Sequence, residues 1–122
     1  MLVALSHLWI QPVTHTNHLV NYVNAILGFS SPRTAHLESS NQETWFDQGY
    51  TVTAEEKTYA FDDGALIKRT AEQDDYPSDA ACAECWIFYE VVRQPLDKAV
   101  SPCHVSFNSA CREAYWQRYF SA

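Results

Sequence analysis

KTYAFDDGALIKRTA, residues 57–71, decides the fold of this chain, because it predicts two β-strands joined by a tight turn. Residues 57–61 and 65–71 are the two strands. Asp62-Asp63-Gly64 lies between them, and Asp-Gly tolerates the positive φ that a hairpin turn needs. We therefore expect an antiparallel hairpin at this position.

The sequence on both sides of this hairpin is also strand-like. Upstream, residues 45–46 and 50–53 flank Asp47-Gln48-Gly49, which predicts a strand, a turn and a strand. Glu55-Glu56 is expected to turn the chain again before the hairpin. Downstream, after a polar loop over residues 72–79, the apolar run WIFYEVV at residues 86–92 is typical of a strand covered on both faces.

A helix is predicted before these strands. In residues 14–28, apolar side chains recur at the i, i+3, i+4, i+7 spacing of one helical face. Thr14 or Thr16 can cap its start, and Gly28 suits the left-handed residue that ends it. Ser31-Pro32 predicts the start of a short second helix, which would include His36 and Leu37.

A final helix is predicted from Ser101-Pro102, where the same start signal recurs. Its apolar face would contain Cys103, Phe107, Ala110, Cys111, Ala114 and Tyr115. We therefore predict an α+β fold: an antiparallel β-meander of four or five strands, with N-terminal and C-terminal helices packed on one face.

The composition indicates one folded domain over residues 1–122. Hydrophobic residues make up 47% of the chain and aromatic residues 14%. The opening MLVALSHLWI lacks a positively charged start and a cleavage pattern, so residues 1–13 are expected to be part of the folded domain or a loosely docked N-terminal segment. A cytoplasmic location with four reduced cysteines is then expected.

The charge balance bears on the partner. Acidic residues number 15 against 8 Lys and Arg, which gives a net charge of −7. Because phosphate binding needs Lys and Arg, direct nucleic-acid binding and an anionic membrane surface are disfavoured. A protein partner, which can be basic, or self-association is favoured.

The four cysteines have the spacing C-x2-C-x17-C-x7-C and raise the alternative of a zinc-stabilised domain. Cys82 and Cys85 would be one pair of ligands, and Cys103 or His104 together with Cys111, or Cys103 together with His104, would complete the four. A helix that starts at Pro102 would separate Cys103 and Cys111 by about 12 Å, so both can bind one ion only if the helix starts near Ser106 or Ser109. The other interpretation is that all four are core thiols, and no cofactor is then required.

Two groups of residues are candidates for a protein-binding surface. The first group is aromatic and consists of Trp45, Trp86, Trp116, Tyr119 and Phe120. The last three crowd the end of the last helix, where not all of them can be core. Asp74, Asp75 and Asp79 lie in an acidic stretch without a basic residue, which suits a basic partner. The sequence therefore predicts a small acidic, non-enzymatic protein of adaptor, immunity or inhibitor type.

A third interpretation is an enzyme or small-ligand binder with an aromatic cavity between sheet and helices. Tyr59, Glu90 and His104 would be its convergent polar groups. The sequence has no phosphate-binding glycine loop, no Gly-x-Ser-x-Gly turn and no His-Glu-x-x-His, so no known enzyme signature supports this interpretation.

Overall fold

The computed structural model describes residues 17–77 and 82–121. Within them, no helix is both long enough and apolar enough to cross a membrane. The elements along the chain are helix α1 (Leu19–Leu27), strands β1 (Ala35–Asp47), β2 (Tyr50–Phe61), β3 (Leu66–Asp74), β4 (Glu84–Arg93) and β5 (His104–Ser109), and helix α2 (Ala110–Ser121).

The strands form one antiparallel sheet in the order β1-β2-β3-β4-β5, so each strand pairs with its neighbour in sequence. The β1–β2 turn lies at Gln48 and Gly49, where φ is 53° and 85°. The β2–β3 turn ends at Gly64, where φ is 93°. Both predicted hairpins are confirmed, and so is the α+β meander with one helix before the strands and one helix after them in sequence.

The hydrophobic core lies on one face of the sheet, beneath the two helices. Side chains of a strand alternate between its faces, so on one face of β4 Ile87 and Tyr89 are buried and Cys85 and Val91 are partly buried. The buried cluster also takes its members from α1, from β2, β3 and β5, and from the segments just before β3 and β5: Leu19, Tyr22, Val23, Phe61, Ala65, Ile67, Val100 and Phe107.

Helix α1 forms much as its sequence predicts. Its apolar face is buried, and Gly28 ends it in the left-handed conformation at φ 86°. The N-cap is His18, whose Nδ1 accepts a hydrogen bond from the Val20 backbone N–H at 3.0 Å. The predicted caps, Thr14 and Thr16, lie outside the described residues.

Buried polar contacts attach helix α2 to the sheet and to α1. The Glu113 carboxylate accepts hydrogen bonds from the Tyr89 hydroxyl at 2.5 Å and from Arg69 Nε and Nη2 at 3.2 and 3.0 Å. Gln117 Nε2 donates to Asn24 Oδ1 on α1 at 2.7 Å. These contacts fix the position of α2 relative to the sheet.

Two local predictions upstream of the hairpin are wrong. The short helix after Ser31-Pro32 is absent, because β1 starts at Ala35 and residues 36–37 pair with Tyr59 and Ala60 of β2. Glu55-Glu56 does not turn the chain but lies inside β2, between β1 and β3. In both places the backbone pairing of a long hairpin outweighs a short local signal.

The predictions for the last third also need correction. Residues 104–109 form β5 with Val105 and Phe107 directed towards the core, and α2 begins only at Ala110. The Ser101–Pro102 peptide bond is cis and lies before this strand. The polar loop predicted over residues 72–79 is shorter at its start, because β3 continues to Asp74.

Candidate protein-binding surface

The sheet face opposite the helices displays exposed aromatic side chains. Whereas Ile87 and Tyr89 are buried, Trp86 and Phe88 on the other face of β4 are 50% and 51% exposed. The prediction that β4 is covered on both faces is therefore wrong for the part of the chain that the structure describes. Trp86 is paired with Glu72 of β3, so a carboxylate lies next to the ring on the same face.

An acidic groove of about 560 Å³ crosses this face at one end of the sheet. Its carboxylates come from the ends of β1, β3 and β4, because the meander brings these ends together. Among the described lining residues none is Lys or Arg: Asp47, Val52, Glu72, Gln73, Asp74, Tyr76, Pro77, Ala83, Glu84 and Trp86. The acidic groove therefore has a negative potential, which attracts a cationic side chain.

A second groove, of about 570 Å³, lies between the edge of the sheet and α2, and we call it the α2 groove. Trp86 lines it from the sheet, and Tyr115 and Arg112 line it from the helix. Tyr115 is stacked on Tyr119, with 6.2 Å between ring centroids. Trp86 is thus a wall of both grooves and lies at the junction between them.

The three aromatic residues predicted at the end of the last helix have different environments. Trp116 is half-buried and packs on the core, with its ring 5.5 Å from that of Phe107. Tyr119 and Phe120 are 64% and 44% exposed, and their ring centroids are 4.9 Å apart. Phe120 also stacks on His18, with 4.7 Å between ring centroids, so part of the aromatic surface of α2 is exposed and the rest is used for packing.

The three predicted acidic residues are only partly brought together. Asp74 lines the acidic groove, and its Oδ1 also accepts a hydrogen bond from the Tyr76 N–H at 3.1 Å. Asp75 holds the end of β3 against β2, since its Oδ1 accepts from the Thr51 N–H at 2.8 Å. Asp79 lies outside the described residues.

The cysteines are not all thiols, so the expectation of four reduced cysteines is wrong. Cys82 and Cys111 form a disulfide across 29 residues, which joins the chain before β4 to the first turn of α2. Cys85 is free and half-buried, and Cys103 is free and exposed. Because Cys111 lines the α2 groove, the disulfide holds one side of that groove in place.

The alternative zinc site is not assembled in this arrangement. A disulfide sulfur is not the thiolate that zinc binds, and Cys82 and Cys111 are both in the disulfide. His104 lies on the outer sheet face, opposite Glu90. In residues 17–77 and 82–121, no three His, Cys, Asp or Glu side chains are grouped so that they could hold a metal ion.

The polar groups of the predicted ligand cavity also lie apart. Glu90 and His104 line a depression of about 330 Å³ on the outer face, together with Lys68 and Phe88. Tyr59 is packed against the core on the other face of the sheet. The three groups therefore do not converge on one cavity.

The sequence interpretation missed two features of this surface. It named Trp86 as a candidate anchor but predicted a strand covered on both faces, so it missed Phe88 and the half-exposed character of β4, in which Trp86 and Phe88 alternate with Ile87 and Tyr89 at a period of two. It also missed Tyr115 as a groove residue, because it placed Tyr115 on a buried helix face.

Comparison with protein-family models, curated proteins and solved structures finds no match for this chain.

Proposed function

We propose that this protein is a non-enzymatic protein-binding module, of adaptor, immunity or inhibitor type, whose ligand is a basic segment of another protein. The observation that carries the proposal is the position of Trp86 between the acidic groove and the α2 groove. A segment that crosses Trp86 can place a cationic side chain on one side of the ring and an apolar side chain on the other.

Trp86 provides most of the apolar contact in this proposal. Half of the side chain is exposed, which corresponds to about 100 Å² of ring surface. Burying that area contributes about 2.5 kcal/mol, or roughly 70-fold in Kd. Tryptophan is also the aromatic ring over which a Lys or Arg cation binds best.

Charge supplies the selectivity for a basic ligand. The acidic groove holds Asp47, Glu72, Asp74 and Glu84 within one concave surface, and the whole chain has a net charge of −7. Such a surface speeds association with a cationic partner and repels an acidic one. The attraction is screened by salt, so the affinity should fall as the salt concentration rises.

We also propose that the protein works in a non-reducing setting. Disulfides persist where thiols are oxidised and are rare in reducing compartments, and Cys82–Cys111 lies beside the proposed surface. This disulfide weighs against the cytoplasmic location expected from the sequence.

Selection from a library of random twelve-residue peptides displayed on phage tests the proposal. The wild-type protein and the Trp86→Ala variant are used side by side. Peptides that bind the wild type are expected to be enriched in Lys and Arg next to an apolar residue. Their measured Kd should rise about 70-fold for Trp86→Ala and should also rise with salt.

Phe29→Ala is the matched control, because Phe29 is 53% exposed and lines neither groove. It should leave the Kd unchanged. Glu84→Gln should weaken binding, whereas Glu38→Gln, an exposed carboxylate outside the acidic groove, should not. Selected peptides without basic residues, or peptides that bind Trp86→Ala as well as the wild type, would show that the proposal is wrong.

A further inference from the structure

We propose that the free edge of β1 binds an extended, basic segment of a partner protein, which adds to the sheet as a sixth strand. Binding there uses the backbone of β1 and does not require Trp86 or the α2 groove, and it shares only Asp47 with the acidic groove. The segment concerned is residues 39–47, which follow the one irregularity in the pairing of β1 with β2, between Leu37 and Ser39.

The first observation is that β1 buries almost nothing. It is the longest strand described, with 13 residues, and every residue after Ala35 is exposed. Within the described residues its only strand neighbour is β2. Among residues 17–77 and 82–121, the backbone N–H and C=O groups on the other edge of β1 thus form a row without partners in the sheet, which is a template for another strand.

The second observation is that β1 lacks most of the usual protection of an edge. Lysine, proline and shortness normally keep an edge strand from pairing with other chains, and residues 35–47 contain no Lys, Arg or Pro. The opposite edge of the sheet, formed by β5, differs. β5 has only six residues and runs directly into α2, whose first turn contains the disulfide-bonded Cys111. β1 is therefore the edge that is open to strand addition.

The side chains of β1 identify the chemistry of the added strand. Glu43, Trp45 and Asp47 share one face, since they alternate along the strand. Cross-strand neighbours of opposite charge stabilise a sheet and like charges destabilise it. The complementary strand therefore has Lys or Arg opposite Glu43 and Asp47 and an apolar residue opposite Trp45. A second copy of this chain, whose β1 has carboxylates and no Lys or Arg, fits less well.

A synthetic nine-residue peptide tests strand addition on the full chain. It has Lys at its first and fifth positions, opposite Asp47 and Glu43, Val at its third, opposite Trp45, and Thr elsewhere. Amide hydrogen exchange of the protein, followed by NMR, is expected to slow about tenfold at alternate residues within 39–47 when the peptide saturates. Two further versions of the peptide have the backbone nitrogen methylated at either the odd or the even positions. Because alternate N–H groups of a strand point to opposite edges, each version removes the hydrogen-bond donors from one edge only.

Only the version methylated on the edge that faces β1 should lose binding, because the other edge makes no hydrogen bond to the protein. Loss with both versions or with neither would overturn strand addition, as would unchanged exchange in β1. Glu43→Lys should weaken the Lys peptide about fivefold and strengthen a Glu-containing version. Equal affinities for the two peptides would overturn the assigned chemistry.

Two further measurements identify the occupant of the β1 edge. Trp86→Ala should leave peptide binding at β1 unchanged, so a failure of the proposed function does not affect this test. Slow exchange in β1 without peptide, together with a dimer in light scattering, would identify a second copy as the occupant and overturn the basic partner.

Discussion

Replacing Glu113 by alanine is expected to destabilise the protein by about 3 kcal/mol. Glu113 is 6% exposed and accepts hydrogen bonds from Tyr89 and Arg69. Breaking a buried ion pair by removing one partner costs about 3–5 kcal/mol, because the other charge stays buried. The lower value applies here because the Arg69 side chain is 21% exposed and can still reach water.

The neighbouring hydroxyl loses its acceptor as well. Burial raises the pKa of the Tyr89 phenol, so the group stays protonated and donates its proton to Glu113. In Glu113→Ala this donor has only Arg69 beside it, and Arg69 has no acceptor to offer. Tyr89→Phe, which removes only the hydroxyl, should cost about 1 kcal/mol.

The double variant Arg69→Met with Glu113→Leu is the decisive comparison. Replacing both partners of a buried pair by apolar residues of similar size is often close to neutral. The double variant should therefore be more stable than Glu113→Ala by about 2 kcal/mol. Urea unfolding, followed by circular dichroism and tryptophan fluorescence, gives the free energies. A Glu113→Ala loss below about 1 kcal/mol, or a double variant as unstable as the single one, would refute the reasoning.

Three further changes test other parts of the structure. Burial lowers the pKa of His18 from 6.5, and protonation removes the acceptor that caps α1. The stability that His18 contributes is therefore complete above pH 6.5 and is lost as the pH falls through the lowered pKa. His18→Asn keeps a capping acceptor, so between about pH 7 and pH 5 its free energy of unfolding in urea should fall less than that of the wild type. Parallel plots of unfolding free energy against pH for the two proteins would contradict this. Cys82→Ser should lower the free energy of unfolding by about 3.5 kcal/mol, from the chain entropy of a 29-residue separation, and reduction of the wild type should do the same; an unchanged urea midpoint after reduction would count against it. Gly28→Ala should cost about 1 kcal/mol in thermal unfolding because φ is 86° with open space around the residue, and a neutral result would mean that the helix end can rearrange.

The parts of the fold that the sequence predicted are those with strong local chemistry. Asp62-Asp63-Gly64 and Gln48-Gly49 tolerate positive φ and define both hairpins. Gly28 ends α1 for the same reason. These signals act over a few residues, so they can be recognised without knowing what lies nearby in space.

The failures have a common physical cause, which is long-range pairing. Ser31-Pro32 and Ser101-Pro102 resemble helix starts, yet each is followed by a strand, because β1 pairs with β2 and β5 pairs with β4. The disulfide joins residues that the meander brings together, and no spacing in the sequence identifies Cys111 as the partner of Cys82. The exposed outer face of β4, with Trp86 and Phe88, could have been predicted from the alternation in β4 alone.

Polar and covalent contacts, in addition to apolar packing, attach helix α2 and its exposed aromatic rings to the rest of the protein. Helix α2 has only two buried residues, Glu113 and Gln117, and both are polar. Its exposed rings are therefore held by hydrogen bonds to Arg69, Tyr89 and Asn24 and by the disulfide, which have fixed geometry. A surface that is fixed before binding loses less entropy on association. Loss of the Glu113 contacts should thus weaken binding in the α2 groove as well as stability, although Glu113 lines neither groove.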